Sequence, residues 1–171
     1  MIFITCLPAC KQKPQKKDSE ESPSDTLAAA QENPKIFNCK EDSLVKYLLY
    51  LPEKPKAKTP LLLFFDPSGN AGIPVIKYKE IADKMGVAIA GSMNSRNGQT
   101  VGQSVYFGKT IIKDIIKNNN IDSNRIFVAG FSGGARVATR LAEMNPEIKA
   151  VIGNSAGFEN TSGDPKHLTC Y

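Results

Sequence analysis

The chain has 171 residues, 41% hydrophobic and 23% charged, which suits one domain able to bury a substantial core. Its net charge is +5, but Lys11, Lys13, Lys16 and Lys17 crowd one N-terminal stretch. The rest has no Arg-rich helix and no interleaving of basic with aromatic residues, so nucleic acid is not expected as a partner.

Residues 1–10 read as an export signal. Met1-Ile2-Phe3-Ile4-Thr5-Cys6-Leu7-Pro8-Ala9 is apolar, and Cys10 follows a small residue. Leu7-Pro8-Ala9-Cys10 resembles a bacterial lipobox, although no basic segment precedes the apolar run. The resemblance implies lipid on Cys10, a membrane anchor and a place in the cell envelope, periplasmic or on the outer membrane. The competing reading is an ordinary hydrophobic N-terminus. Residues 11–34 are rich in Lys, Gln, Pro, Ser and Glu and have almost no large apolar side chains, so a disordered tether is expected there. A flexible segment of about 24 residues would hold the domain roughly 25–30 Å from its anchor. Leu27-Ala28-Ala29-Ala30 is a candidate for one turn of helix.

From residue 35 the pattern alternates. Ile36–Cys39 and Leu44–Leu51 are β-like, and Pro52 closes the second. Leu61-Leu62-Leu63-Phe64-Phe65 is a continuous apolar run, as in a strand buried on both faces. Asp66–Gly72 is a loop, in which Asp66 is expected to shape an Asx-type turn. Val75–Met85 has helical spacing (Ile76, Tyr78, Ile81, Ala82, Met85) and stops at Gly86. Val87–Ala90 is another strand, Ser92–Gln99 a polar loop and Gln103–Asn118 an amphipathic helix. The strand Arg125–Phe131, a helix over Ala135–Met144 and a strand over Ala150–Gly153 follow. Strand–helix alternation of this kind predicts right-handed βαβ units, and so an α/β fold with a mostly parallel sheet flanked by helices.

The most informative stretch lies inside that pattern. Arg125-Ile126-Phe127-Val128-Ala129 runs into Gly130-Phe131-Ser132-Gly133-Gly134, and a helical segment follows at once. A serine in Gly-x-Ser-x-Gly between strand and helix sits on a strained turn whose neighbours must be small. Its Oγ then stands clear of the sheet, where a base can reach it, and the helix start aims backbone N–H groups at the same point. The bland alternative is a Gly-rich βα turn that binds a phosphate or nothing.

From about Ser43 to Phe158 the chain resembles the N-terminal two-thirds of an α/β-hydrolase, and within that superfamily bacterial esterases of the polyhydroxybutyrate depolymerase and dienelactone hydrolase type. Leu61–Gly69, the loop Asn94-Ser95-Arg96-Asn97-Gly98 and Gly130–Gly134 carry the resemblance. It implies a three-layer fold and an acyl-enzyme formed on Ser132 from a small carboxylic ester. It also implies an oxyanion hole made by the N–H of Gly133 and one N–H in the loop after Phe65. Pro67 has no N–H, so Ser68 is the expected second donor. No cofactor and no metal are expected.

In that family the acid and then the histidine follow the nucleophile, each after a further strand. Here the sole histidine, His167, and Asp164 lie in a loop-like stretch just before Tyr171, and both read better as surface or turn residues. The expectation is a hydrolase domain, 35–171, incomplete at its C-terminus, and inactive as it stands for want of acid and base. The other readings are a lipid-anchored module that binds a ligand or partner on a degenerate hydrolase fold, and a peptidase of the prolyl-oligopeptidase type. The four cysteines, Cys6, Cys10, Cys39 and Cys170, have no metal-site spacing; in an oxidising compartment Cys39 and Cys170 would be available to pair.

Overall fold

A computed structural model of the chain describes residues 33–156 and the backbone of 169–170. The expected signal, Cys10, nearly all of the tether, Asp164 and His167 lie outside the described residues. The ordered domain starts slightly earlier than the composition suggests. The Asn33 carboxamide donates to the Leu51 carbonyl at 2.7 Å and accepts from the Leu51 N–H at 3.2 Å.

The elements in chain order are β1 (Lys35–Asn38), β2 (Lys46–Tyr50), β3 (Thr59–Phe65), α1 (Gly72–Lys77), α2 (Lys79–Met85), β4 (Ala88–Ser92), α3 (Val101–Asn118), β5 (Ile121–Phe131), α4 (Gly133–Glu143), β6 (Ile148–Asn154) and β7 (Thr169–Cys170). They form one sheet in the order β1-β2-β4-β3-β5-β6-β7. β1, β2 and β4 pair antiparallel, and β4, β3, β5, β6 and β7 pair parallel. The mostly parallel sheet of the sequence reading is therefore present, with an antiparallel edge.

The period of two along a strand decides which residue meets which layer. In β3, Leu61, Leu63 and Phe65 are fully buried with Ala88 and Ala90 of β4, Ile126 and Val128 of β5, and the inner faces of α3 and α4. Leu62 faces the other layer, with Tyr50, Val75, Ala82 and Ile89, and the Phe64 ring stacks on Tyr78 at 5.8 Å. Helices thus lie on both faces. The Thr100 hydroxyl caps α3 by accepting the Gln103 N–H at 3.2 Å. Gly108 lets α3 press inward: a Cβ there would come within 2.7 Å of Leu141 and 2.8 Å of Phe65.

The helix expected over Val75–Met85 is broken in two. Tyr78 (φ −104°, ψ 9°) leaves helical geometry between α1 and α2 and turns its ring onto Phe64. Val75 and Ala82 are buried, whereas Ile76, Ile81 and Met85 are 68%, 53% and 59% exposed. Ile73, Ile81 and Met85 border an apolar trough of about 730 Å³, floored by Leu62, Phe127, Ala129 and Ile152 of the sheet. One face of the sheet is sealed by α3 and α4; the other is only partly covered by described residues.

A buried carboxylate ties the antiparallel edge to α3. Asp114 accepts the Tyr47 hydroxyl at 2.6 Å and the Lys40 N–H at 2.9 Å. Burial, then the hydrogen bond and charge of Asp114, push the Tyr47 phenol well above its usual range. Asp114→Ala strands a buried hydroxyl and an amide at once. The expected cost is about 2–4 kcal/mol of stability, read from the urea midpoint of the variant beside wild type. An unchanged midpoint would remove the structural role given to this group.

Cys39 follows β1 and is a buried free thiol, pushed up to about 12 chiefly by burial and then by the Asp114 charge. Its pairing with Cys170 is not realised. Cys170 is on β7, at the opposite edge of the seven-stranded sheet. Six steps of about 4.8 Å separate the two edges, far more than a disulfide spans.

Candidate active site

β5 lies in the middle of the sheet and delivers its last residue to the carboxyl ends of the parallel strands. Phe65 of β3 is level with Gly130, which is level with Gly153 of β6, and Phe131 pairs with Asn154. Ser132 follows with φ 51° and ψ −123°, and α4 starts at the next residue. Only Ser132 and Ser155 among the described non-glycine residues have positive φ. A conformation of this kind costs about 1–3 kcal/mol and persists only where its surroundings enforce it. Here the Ser132 N–H donates to the Asn154 carbonyl at 2.8 Å, and the Ala135 N–H donates to the Ser132 carbonyl at 2.9 Å.

The glycines have a direct steric cause. A Cβ on Gly130 would strike the Gly134 carbonyl, and one on Gly134 would strike the Phe65 carbonyl. Strand, turn and helix are packed backbone to backbone, and this holds the Ser132 side chain above the sheet. Gly133 opens α4, in the first turn, where N–H groups have no intrahelical acceptor and carry the positive end of the helix dipole.

Ser132 and Gly133 line a cavity of about 380 Å³ together with Arg96, Asn97, Arg136 and Ser155. Asn97 is held by its N–H, which donates to the Pro67 carbonyl at 2.8 Å, and its side chain lies against Gly133, where any Cβ would meet it. No His, Asp or Glu is among the described residues around this cavity. The carboxylates whose affinity for protons is lowered do structural work elsewhere. Asp83 accepts from the Glu53 N–H and the Tyr50 hydroxyl, and Asp122 pairs with Arg125.

The loop after β3 behaves differently from the sequence expectation in one respect. Asp66 shapes the turn as expected: its carboxylate accepts the Ser68 N–H at 2.9 Å, the Asn70 N–H at 3.3 Å and the Ser68 hydroxyl. The Ser68 N–H is thereby committed to Asp66, and Ser68 lines a separate depression with Gly69, Asn70 and Met93. The structure brings Ser132 and Gly133 together but not Ser68. From this loop it is Pro67, without an N–H, that borders the Ser132 cavity. Arg136 and Ser155 escaped the sequence reading, and Asn97 entered it only as part of the loop Asn94–Gly98, with no role of its own. Arg136 was within its reach, because a residue four places beyond the nucleophile lies one helical turn along the same face.

No protein-family model and no curated protein matches the sequence. Solved structures do resemble the fold. An acetyl xylan esterase from Aspergillus awamori has a TM-score of 0.55 at 17% identity, over 63% of this chain and 45% of that one. An esterase from the hyperthermophilic archaeon Pyrobaculum calidifontis gives 0.55 at 14% identity, over 71% of this chain and 44% of that one. The poly(3-hydroxybutyrate) depolymerase LpqC from Bordetella parapertussis gives 0.53 at 15% identity, over 64% of this chain and 45% of that one. The chain thus spans slightly under half the length of these three structures. At such identities the likeness is one of fold, and it agrees with the sheet order, the strand–turn–helix at Ser132 and the helices on both faces: the chain has an α/β-hydrolase-type fold.

Proposed function

We propose that the chain carries the nucleophilic part of a serine hydrolase acting on carboxylic esters. One observation carries this reading: Ser132 follows the central strand β5 at φ 51°, clamped between Gly130, Gly133 and Gly134 and opening on a cavity. Strain of this kind at a cavity mouth has no packing benefit and points to use. In the proposed reaction the Ser132 Oγ adds to the ester carbonyl carbon and gives its proton to a base. The carbonyl oxygen becomes an oxyanion and accepts the Gly133 N–H. Collapse expels the alcohol and leaves the acyl group on Ser132, and water then releases the carboxylic acid. The base and its acid partner come from outside the described residues, since none borders the cavity within them.

The test is a fluorophosphonate probe on the complete gene product. Wild type is expected to take up one adduct, mapped by mass spectrometry to the peptide holding Ser132, and Ser132→Ala to take up none. An adduct that persists in the variant at another serine would overturn the assignment.

The lipid anchor is a separate proposal, supported by Leu7-Pro8-Ala9-Cys10 and the polar segment behind it. Among the described residues, no helix is long and apolar enough to cross a membrane. Cys10 would head the mature chain and hold it at a membrane through its acyl groups, with Lys11, Lys13, Lys16 and Lys17 each adding about 1 kcal/mol of attraction to an anionic surface. Fractionation of native cells should place wild type with membranes and Cys10→Ser in the soluble fraction. Soluble wild type with an unmodified Cys10 by mass spectrometry would remove both the lipid and the envelope location.

A further inference from the structure

The sequence contains four arginines, and the structure divides them into two pairs. Arg125 is bound to Asp122 at 2.7 Å and Arg140 to Glu143 at 3.1 Å. Arg96 and Arg136 have no ion pair and no side-chain hydrogen bond among the described residues, and these are the two that line the Ser132 cavity. They come from different elements. Arg136 stands on the second turn of α4, whereas Arg96 is in the loop between β4 and α3.

Both are held at the backbone. The Arg96 N–H donates to the Gln99 side chain at 3.1 Å, its neighbour Asn97 is tied to Pro67, and Arg136 belongs to a helix whose first turn has no acidic residue. No described carboxylate lines the cavity to neutralise them. Guanidinium groups are always charged and offer a planar fork of donors that matches a carboxylate or phosphate. Left unpaired beside a nucleophile and the positive end of a helix, two of them create a local field that favours an anion.

We propose that the Ser132 cavity selects esters carrying a second, anionic group, a carboxylate or a phosphate, gripped by Arg96 and Arg136 while the ester carbonyl lies at Ser132. This rests on the reading of Ser132 as nucleophile. Ordinary neutral esters would fit the cavity volume but leave both guanidinium groups unused.

The test compares 4-nitrophenyl hemisuccinate with 4-nitrophenyl butyrate, acyl groups of equal carbon count with and without a terminal carboxylate, on the complete gene product. The readout is the ratio of their kcat/KM values. Arg96→Gln and Arg136→Gln are each expected to lower the anionic-to-neutral ratio about 10-fold, the worth of one charge-assisted contact. Arg125→Gln, remote from the cavity, should leave the ratio at its wild-type value. Raised ionic strength should lower the wild-type ratio and move the double variant much less.

A binding arm needs no chemistry. Succinate and inorganic phosphate are titrated separately into the Ser132→Ala protein and into the same protein with both arginines replaced. Binding that requires the arginines supports the proposal, and the tighter anion identifies the group. If both arginine variants keep the wild-type ratio and the anions bind equally well without them, the proposal is overturned. Loss of fluorophosphonate labelling in wild type would instead defeat the nucleophile reading, which the binding arm does not depend on.

Discussion

Replacing Ser132 by alanine is expected to lower kcat/KM of the complete gene product by about 10⁴–10⁶-fold, or about 5–8 kcal/mol of transition-state stabilisation. The size follows from the route. The acyl-enzyme needs an oxygen that forms a bond to the carbonyl carbon, and alanine has none. What survives is whatever the Gly133 N–H and binding in the cavity supply to attack by water. Most of the loss should fall on kcat, because the hydroxyl contributes little to holding the ground-state ester. Alanine meets the same positive φ as serine, so the thermal midpoint should stay within a few degrees of wild type. A folded Ser132→Ala protein with hydrolysis within 10-fold of wild type would show that the acyl-enzyme is not formed there.

The second large effect concerns the backbone behind that serine. Gly134→Ala is expected to cost about 3–5 kcal/mol, among the largest single-site losses in the domain. The added methyl would be driven into the Phe65 carbonyl, which belongs to the neighbouring strand and cannot swing away as a side-chain tip can. Either α4 lifts from β3, or β3 shifts and disturbs its pairing on both sides. Gly102→Ala is the internal control: it lies in the first turn of α3 with nothing within 4 Å of the added atom. It should be neutral or slightly stabilising, by less than about 1 kcal/mol, through helix propensity. Urea midpoints of both variants decide the matter. Equal midpoints would mean that α4 does not press on β3 in the manner described.

The elements most legible in the sequence were the strands with apolar residues on both faces. Leu61–Phe65 and Val87–Ala90 read as apolar runs because one face packs under α3 and α4 and the other meets α1 and α2 or the apolar trough. The glycines at 130, 133 and 134 read as a turn because a Cβ at 130 or 134 would strike backbone and one at 133 the Asn97 side chain. The helix between β3 and β4 was misread in its detail for a physical reason. Helical periodicity reports where apolar residues would meet if the helix stayed straight, whereas the break at Tyr78 is set by a stacking contact with Phe64 on another element. Ser68 owns an N–H, as an oxyanion donor must, but that N–H is bound by Asp66 two residues away, a pairing that possession of an N–H does not reveal. Arg96 and Arg136 lie 40 positions apart, and nothing local in either segment says that they share a cavity.

The two faces of the sheet have different histories during synthesis. Everything that seals the first face, the strands through β6 with α3 and α4, lies before residue 155 in the chain. That face can close as soon as this much has left the ribosome. The apolar trough beside Ile73, Ile81 and Met85 is closed by none of these elements. A nascent chain at that stage displays a contiguous apolar surface beside an already formed sheet. Its yield in the cell then depends on how quickly that surface is shielded as well as on the stability of the domain.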